Sequence, residues 1–274
     1  FKLPASLEFQ SRRSPVISRR GMAAASQPLA AAAGVEILAA GGTAADAAVA
    51  IAAALNVTEP TSTGIGGDCF ALYYEAASGQ VSALNGSGRA PQALTLERLE
   101  REGFSGELPP YHPYTITTPG ACAGWCDLVG RFGRLGLAQI LAPAIRLAEE
   151  GFPVAPVTAH AWEIAAGRQL ATAYNGQELT IGGRAPRPGE IFRNPGLART
   201  LRAVVEGGAA AFYQGEVGQA LVAAVRQAGG CLALEDLAEH RSTWDLPIRV
   251  SYRELEIWEC PPNGQGLAAL LALN

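Results

Sequence analysis

Apolar residues dominate two consecutive segments near the start of the chain, residues 29–40 and 44–57, and a pair of glycines separates them. Ser26 lies where an N-cap of the first helix is expected, two residues ahead of a helix-starting proline. Thr43, followed three residues later by Asp46, predicts a capping box for the second helix. Because the second segment is apolar on every face, we expect that helix to be buried all round.

Residues that favour strands then predict two antiparallel strands, residues 69–75 and 80–84, joined by a turn at Ser78-Gly79. Beyond them the pattern is mostly helical, with predicted helices at residues 94–101, 121–132, 137–150, 158–174, 195–206, 216–228 and 234–240. A hairpin of residues 246–251 and 255–259 and an apolar helix over 267–274 complete the chain. That last helix needs a partner to cover it, so we expect the chain to be part of a longer polypeptide.

Composition narrows the classes of function. The chain has 274 residues, 49% of them hydrophobic, which is enough for a substantial core. A net charge of −4 gives no general electrostatic reason to bind nucleic acid or an anionic membrane. The sequence contains no run of about eighteen uncharged apolar residues, so no membrane span is predicted. Residues 1–14 are interpreted as an N-terminal arm, and residues 15–274 as part of a single domain.

Metal and cofactor sites are not predicted. The five cysteines have scattered spacings and the three histidines stand far apart, so a zinc site is not expected. We expect the cysteines to be buried free thiols instead. With no visible signal segment, these thiols favour a cytoplasmic location, with a periplasmic or secreted one as the alternative. No serine elbow and no nucleophile–base pair is visible, so the chain offers no catalytic residue of its own.

Two glycine-rich loops, residues 59–68 and 85–91, are the candidate site. They lie at strand ends, where active-site loops are commonly found. The first does not match a dinucleotide fingerprint, because it follows a helix and opens a strand. In the second loop Arg89 carries a guanidinium that can bind a carboxylate through two hydrogen bonds. The alternative is that Arg89 pairs with Asp68 and only holds the two loops together.

Several sequence motifs occur together in one order along the chain. They are Gly21 to Ala30, Gly41-Gly42-Thr43-Ala44-Ala45-Asp46, Leu55 to Pro60, Thr63-Gly64-Ile65-Gly66-Gly67-Asp68, Thr118-Pro119-Gly120, Arg131-Phe132-Gly133, Leu141 to Ile145, Glu149 to Val154, Glu235-Asp236-Leu237 and Pro261-Pro262 with Gly264 and Gly266. In this order the motifs resemble the large subunit of the gamma-glutamyltransferase (gamma-glutamyltranspeptidase) family over nearly the whole chain.

The resemblance implies an α+β fold, the αββα sandwich of N-terminal nucleophile hydrolases, with a largely helical middle segment. It implies a precursor that cleaves itself, so that the small subunit from the same precursor supplies an N-terminal threonine nucleophile. That threonine attacks a γ-glutamyl amide to form an acyl-enzyme. The implied partners are the small subunit and a small γ-glutamyl substrate, without a cofactor, nucleic acid or membrane. A homo-oligomer of heterodimers is left open.

The loop departs from the family at one informative position. Family members have an arginine for the glutamyl carboxylate in a motif of the type Arg-Glu-x-Ala-Pro, and that arginine falls on Ser87, two residues before Arg89. We therefore expect Arg89 and Ser87 to contact substrate, with Asp68 as support. The alternatives are a related acylase with a different acyl specificity, as in cephalosporin acylases, and a catalytically silent homologue that acts as a binding or structural protein.

Overall fold

A computed structural model describes residues 14–170, 173 and 175–274. The predicted arm, residues 1–14, lies outside this part of the chain except for Ser14, and so does the end of the helix predicted for residues 158–174. The helices are α1 (Pro28–Ala39), α2 (Ala44–Thr58), α3 (Leu96–Arg101), α4 (Ala121–Phe132), α5 (Leu137–Glu150), α6 (Pro156–Ala165), α7 (Pro195–Tyr213), α8 (Glu216–Gln227), α9 (Leu234–Ala238) and α10 (Gly266–Leu273). The strands are β1 (Cys69–Glu75), β2 (Gln80–Gly86), β3 (Phe152–Pro153), β4 (Ile191–Phe192), β5 (Thr243–Asp245), β6 (Ile248–Tyr252) and β7 (Leu255–Glu259).

The chain forms two compact units, and the first contains residues 14–64 and 133–206 of the described part. Helix α2 packs on both α1 and α5. The approach of α1 to α2 is close, because a Cβ on Gly34 would lie 2.6 Å from the side chain of Ile51. Strands β3 and β4 pair Phe152 with Phe192, both buried. This unit is therefore a helical core with one small two-stranded ribbon.

Helix caps in this unit show which local predictions were right. The capping box is confirmed: the Asp46 carboxylate accepts a hydrogen bond from the Thr43 amide at 2.7 Å, and the Asp46 amide donates to the Thr43 hydroxyl at 3.3 Å. The prediction for Ser26 was wrong, because Gln27 is the N-cap of α1 and its side chain accepts from Leu29 N. The Ser26 hydroxyl instead donates to Glu59 at 2.7 Å. As expected, α2 is buried along most of its surface, apart from the start of the helix.

The second unit contains residues 65–132 and 207–274 and holds the candidate site. Its sheet has the order β1-β2-β5, with β2 antiparallel to both neighbours. Helix α4 covers one face of the sheet. A Cβ on Gly124 would lie 2.9 Å from the Cβ of Cys69, so this glycine lets the helix approach β1 closely. A separate hairpin of β6 and β7 carries α10 against it.

The remaining differences from the sequence predictions are local. The span of α7 consists of two helical stretches separated by Gly208, whose backbone is non-helical with φ +60°, and the second stretch, which ends at Tyr213, was not predicted. The helix predicted from residue 158 starts at Pro156 and turns into a π-helical segment at Ala166. All five cysteines are free thiols, as predicted, but only Cys122 is buried and the other four are half-buried. Within the described residues, none of the helices has the length and hydrophobicity that crossing a membrane requires.

Candidate functional site

The pairing of β1 with β2 brings the two glycine-rich loops together. Cys69 lies opposite Gly86 in the register, which places Asp68 beside the start of the second loop. One Asp68 carboxylate oxygen accepts from the Ser87 hydroxyl at 3.2 Å, and the other accepts from the Gly88 amide at 3.3 Å. Asp68 therefore fixes the backbone of the second loop just before Arg89.

The second loop lies directly against the backbone of residues 118–120. A Cβ on Gly88 would lie 1.5 Å from the Thr118 carbonyl oxygen, and a Cβ on Gly120 would lie 1.8 Å from the Gly86 carbonyl oxygen. The Thr118 amide donates to the carbonyl oxygen of Arg89 at 2.9 Å. Only glycine allows this approach, so both Gly88 and Gly120 are needed to set the position of Arg89.

Tyr213, at the end of α7, supports the same backbone from behind. Its hydroxyl donates to the Pro119 carbonyl at 2.8 Å and accepts from the Ala123 amide at 3.1 Å. Burial raises the pKa of the Tyr213 hydroxyl, which keeps it protonated and able to donate. The start of α4 and the loop before it are thus held by one buried side chain.

The Arg89 side chain is exposed, and the described part of the chain offers it no ion pair or side-chain hydrogen bond. A direct pair between Arg89 and Asp68, one of the two sequence interpretations, is therefore not formed. Asp68 binds the Ser87 hydroxyl and the loop backbone instead. A guanidinium on a fixed backbone with its donors unoccupied can bind an anionic ligand.

Arg89 faces a cleft of about 180 Å³. The residues that line it are Ser87, Arg89, Ala90, Gln92, Thr118, Asp236, Glu239, His240, Arg241 and Thr243. The cleft is smaller than the roughly 300–1,000 Å³ of sites for drug-sized ligands, so it suits a small acyl group or one end of a larger molecule. Sequence reasoning found the Ser87–Arg89 side of this cleft and missed the side that follows α9.

The acidic residues of the cleft are already bound to the loop. Asp236 accepts from the Gln92 amide at 2.9 Å, and Glu239 accepts from the Gln92 side-chain nitrogen at 2.7 Å. These two bonds tie the residues after Arg89 to α9. They also hold both carboxylates against Gln92, and within the described residues neither carboxylate forms an ion pair with Arg89 or Arg241.

His240 forms part of the cleft wall, a position that the sequence analysis did not predict. Its ring lies 5.5 Å from the Tyr213 ring, and burial lowers its pKa, which favours the neutral imidazole at pH 7. His240 Nε2 and the hydroxyl of Ser242 are buried without a hydrogen-bond partner in the described part of the chain. Nothing in the sequence could have joined His240 to Arg89, because about 150 residues separate them.

The other histidines have structural positions. His112 accepts from the Tyr114 amide through Nδ1 at 3.2 Å and packs against the Phe104 ring. His160 lies on α6. Among residues 14–170, 173 and 175–274, no group of three or more histidine, cysteine or acidic side chains could hold a metal ion.

Comparison with known proteins places this arrangement in a family. The family model described as gamma-glutamyltranspeptidase matches residues 30–274. The glutathione hydrolase-like YwrD proenzyme of Bacillus subtilis is 36% identical over 262 residues, which cover 94% of this chain and 49% of that protein. The acylase ACY 1 proenzyme of Pseudomonas sp. strain SE83 is 35% identical, over 99% of this chain and 50% of its own length. The chain thus spans about half the length of these relatives.

Solved structures agree. Cephalosporin acylase from Bacillus halodurans has a TM-score of 0.91 and 47% identity, over 98% of this chain and 51% of that one. Helicobacter pylori gamma-glutamyltranspeptidase has a TM-score of 0.84 and 31% identity, over 92% of this chain and 73% of that one. These likenesses confirm the α+β fold class of N-terminal nucleophile hydrolases. The chain belongs to the gamma-glutamyltranspeptidase family, of which it covers the large-subunit portion.

Proposed function

We propose that this chain is the large-subunit part of an enzyme that hydrolyses or transfers the γ-glutamyl group of glutathione-like amides. Family membership supports acyl transfer as the reaction class. The observation that carries the substrate class is the exposed Arg89 guanidinium, unpaired within the described chain and held at the wall of a small cleft. A γ-glutamyl group ends in a free carboxylate, which is the ligand that an arginine binds most specifically.

The nucleophile in this proposal is an N-terminal threonine on a small subunit made from the same precursor. Its hydroxyl oxygen attacks the amide carbonyl while its own α-amino group takes the proton. Collapse of the tetrahedral intermediate breaks the C–N bond, and the proton passes to the leaving amine. Water or an acceptor amine then cleaves the acyl-enzyme ester. Two curated relatives are proenzymes by name, which is consistent with such processing.

Within this mechanism the present chain binds and orients the acyl group. Arg89 binds the glutamyl carboxylate, and the Thr118 amide holds Arg89 through its carbonyl oxygen. Asp68 keeps Ser87 and Gly88 in place, so that the arginine approaches from a backbone two residues away from the family position. Orientation of this kind lowers the barrier by removing the need to position the substrate in the transition state.

A related acylase with a different acyl specificity is the second candidate. Two observations favour it: Ser87 stands where family members have their arginine, and the 47% identical structure is a cephalosporin acylase. The two candidates share the fold and the acyl-enzyme and differ only in the acyl group. They are separated by comparing kcat/KM for a γ-glutamyl anilide with kcat/KM for a cephalosporin that carries an acidic acyl side chain.

Self-cleavage tests the proposal at its root. We expect the full-length protein to give two bands on a denaturing gel, and the smaller piece to begin with threonine. Replacing that threonine by alanine should leave one uncleaved band and no anilide hydrolysis. A wild-type protein that stays as one band and releases no amine would contradict the enzymatic proposal and favour the silent homologue.

A further inference from the structure

A second guanidinium, that of Arg241, lines the same cleft as Arg89. Its Nη1 donates to the Ala238 carbonyl at 2.8 Å and to the His240 carbonyl at 2.5 Å. A single nitrogen therefore anchors the group to the end of α9. Nε and Nη2 of Arg241 have no partner in the described part of the chain, and the two anchoring bonds fix the direction of the guanidinium.

The Arg241 guanidinium has no direct ion pair within the described residues, although two carboxylates line the same cleft. Asp236 and Glu239 are bound to Gln92, and neither forms an ion pair with Arg241 within the described chain. His240 adds no charge at neutral pH, since burial lowers its pKa. Arg89 and Arg241 are thus two guanidinium groups in one small cleft, and neither is paired with the two carboxylates that also line it.

We propose that Arg241 is a second carboxylate-binding residue, and that Arg89 and Arg241 together select acyl groups with a free carboxylate. Two guanidinium groups that line one cleft can supply the charge and the hydrogen-bond donors that the family draws from an arginine at the position of Ser87. The identification of the ligand as the substrate acyl group rests on the proposed function. The preference of the cleft for anions is independent of the proposed function.

Kinetics on the processed, full-length protein test the role of Arg241. The substrates are γ-glutamyl-p-nitroanilide and 4-aminobutyryl-p-nitroanilide, which lacks the carboxylate. We expect Arg241→Ala to raise KM for the first roughly tenfold or more, with kcat changed less than about twofold and KM for the second unchanged. Arg241→Lys should recover part of the loss, because it restores the charge without the fork. An equal KM change on both substrates, or none, would overturn the proposal.

Arg226 provides the matched control. Its Nε donates to the Leu232 carbonyl at 3.0 Å, so it also fastens backbone near α9, but it lines a different groove. We expect Arg226→Ala to leave the KM ratio of the two substrates unchanged. If Arg226→Ala changed that ratio as much as Arg241→Ala, the effect would come from a loosened backbone and the proposal would be wrong.

A binding measurement separates this inference from the proposed enzyme function. Isothermal titration calorimetry with glutarate, a small dicarboxylate, needs no turnover. We expect the wild-type protein to bind glutarate and Arg241→Ala to bind it roughly tenfold or more weakly, with affinity falling as salt rises. Binding without hydrolysis of either anilide would sink the γ-glutamyl proposal and leave this one standing. Equal binding by wild type and Arg241→Ala, or no binding by wild type, would refute it.

Discussion

Substitution of Gly88 by alanine tests the close contact that positions Arg89. The added Cβ would lie 1.5 Å from the Thr118 carbonyl oxygen, whereas real Cβ contacts stay at 3.0 Å or more. The two backbones must therefore move apart by about 1.5 Å, the difference between these distances. Such a shift would break the 2.9 Å hydrogen bond from the Thr118 amide to the Arg89 carbonyl. Overpacking and the lost bond together should lower the free energy of unfolding by about 2–4 kcal/mol.

The same shift displaces Arg89 from the substrate, and a misplacement of about 1 Å can cost on the order of 100-fold in rate. We expect Gly88→Ala to lower the midpoint of urea-induced unfolding, measured by tryptophan fluorescence. We also expect it to lower kcat/KM for the γ-glutamyl anilide by at least about tenfold. Gly66→Ala is the control, because Gly66 lies in the facing loop with nothing within 4 Å of its Cβ position. If the two variants behaved alike in both assays, the packing argument would be refuted.

Three further predictions address stability and pH. Tyr213→Phe removes the hydroxyl that serves two buried backbone groups and should cost about 1–3 kcal/mol in urea unfolding, with wild-type stability as the contradicting result. Asp46→Ala removes the capping box and the acceptor for the Arg134 amide, so we expect a loss of about 2–4 kcal/mol; a change below about 0.5 kcal/mol would contradict it. The Arg184 guanidinium lowers the pKa of the Glu190 carboxyl to about 2, below the value that this carboxyl has in the unfolded chain. The ionised Glu190 carboxylate therefore stabilises the fold above its unfolded pKa, and this stabilisation is lost as pH falls through about 2. Titration by NMR should show this low pKa, and Arg184→Ala should return it toward the ordinary range; an ordinary pKa in the wild type would contradict the assignment.

Local sequence patterns predicted much of the fold. Helices α4 and α5 begin and end at the predicted residues, since each has an amphipathic pattern and glycines or prolines at its ends. The capping box of α2 was also predictable, because its two partners are three residues apart. The N-cap of α1 was missed because Ser26 turns away to Glu59, a residue 33 positions later. That choice depends on tertiary structure.

Some elements could not be predicted from sequence because they depend on contacts between residues that are far apart along the chain. Strands β3 and β4 have two residues each and exist only because they meet across the fold. The short helical stretch after Gly208 was also missed, although Gly208 itself has a non-helical backbone and ends the preceding stretch, as glycine commonly does. The site also combines a local pattern with a distant residue. The loop of Ser87 and Arg89 was visible in sequence, while Arg241 lies about 150 residues later in the chain.

Several interpretations from sequence stay predictions. These are the cytoplasmic location, the single domain over residues 15–274, and an oligomer of heterodimers. The roles of Arg89, Ser87 and Asp68 in substrate binding are proposals that rest on the geometry of the cleft.

The central claim is that Arg89 binds the carboxylate of the substrate acyl group. Its most direct test is the ratio of kcat/KM for γ-glutamyl-p-nitroanilide to kcat/KM for 4-aminobutyryl-p-nitroanilide, in wild type and Arg89→Ala. Loss of a desolvated bidentate contact of about 2–4 kcal/mol predicts that the ratio falls roughly 30- to 900-fold. Arg101→Ala, on the exposed helix α3, should leave it unchanged. A ratio in Arg89→Ala equal to that of the wild type would contradict the claim.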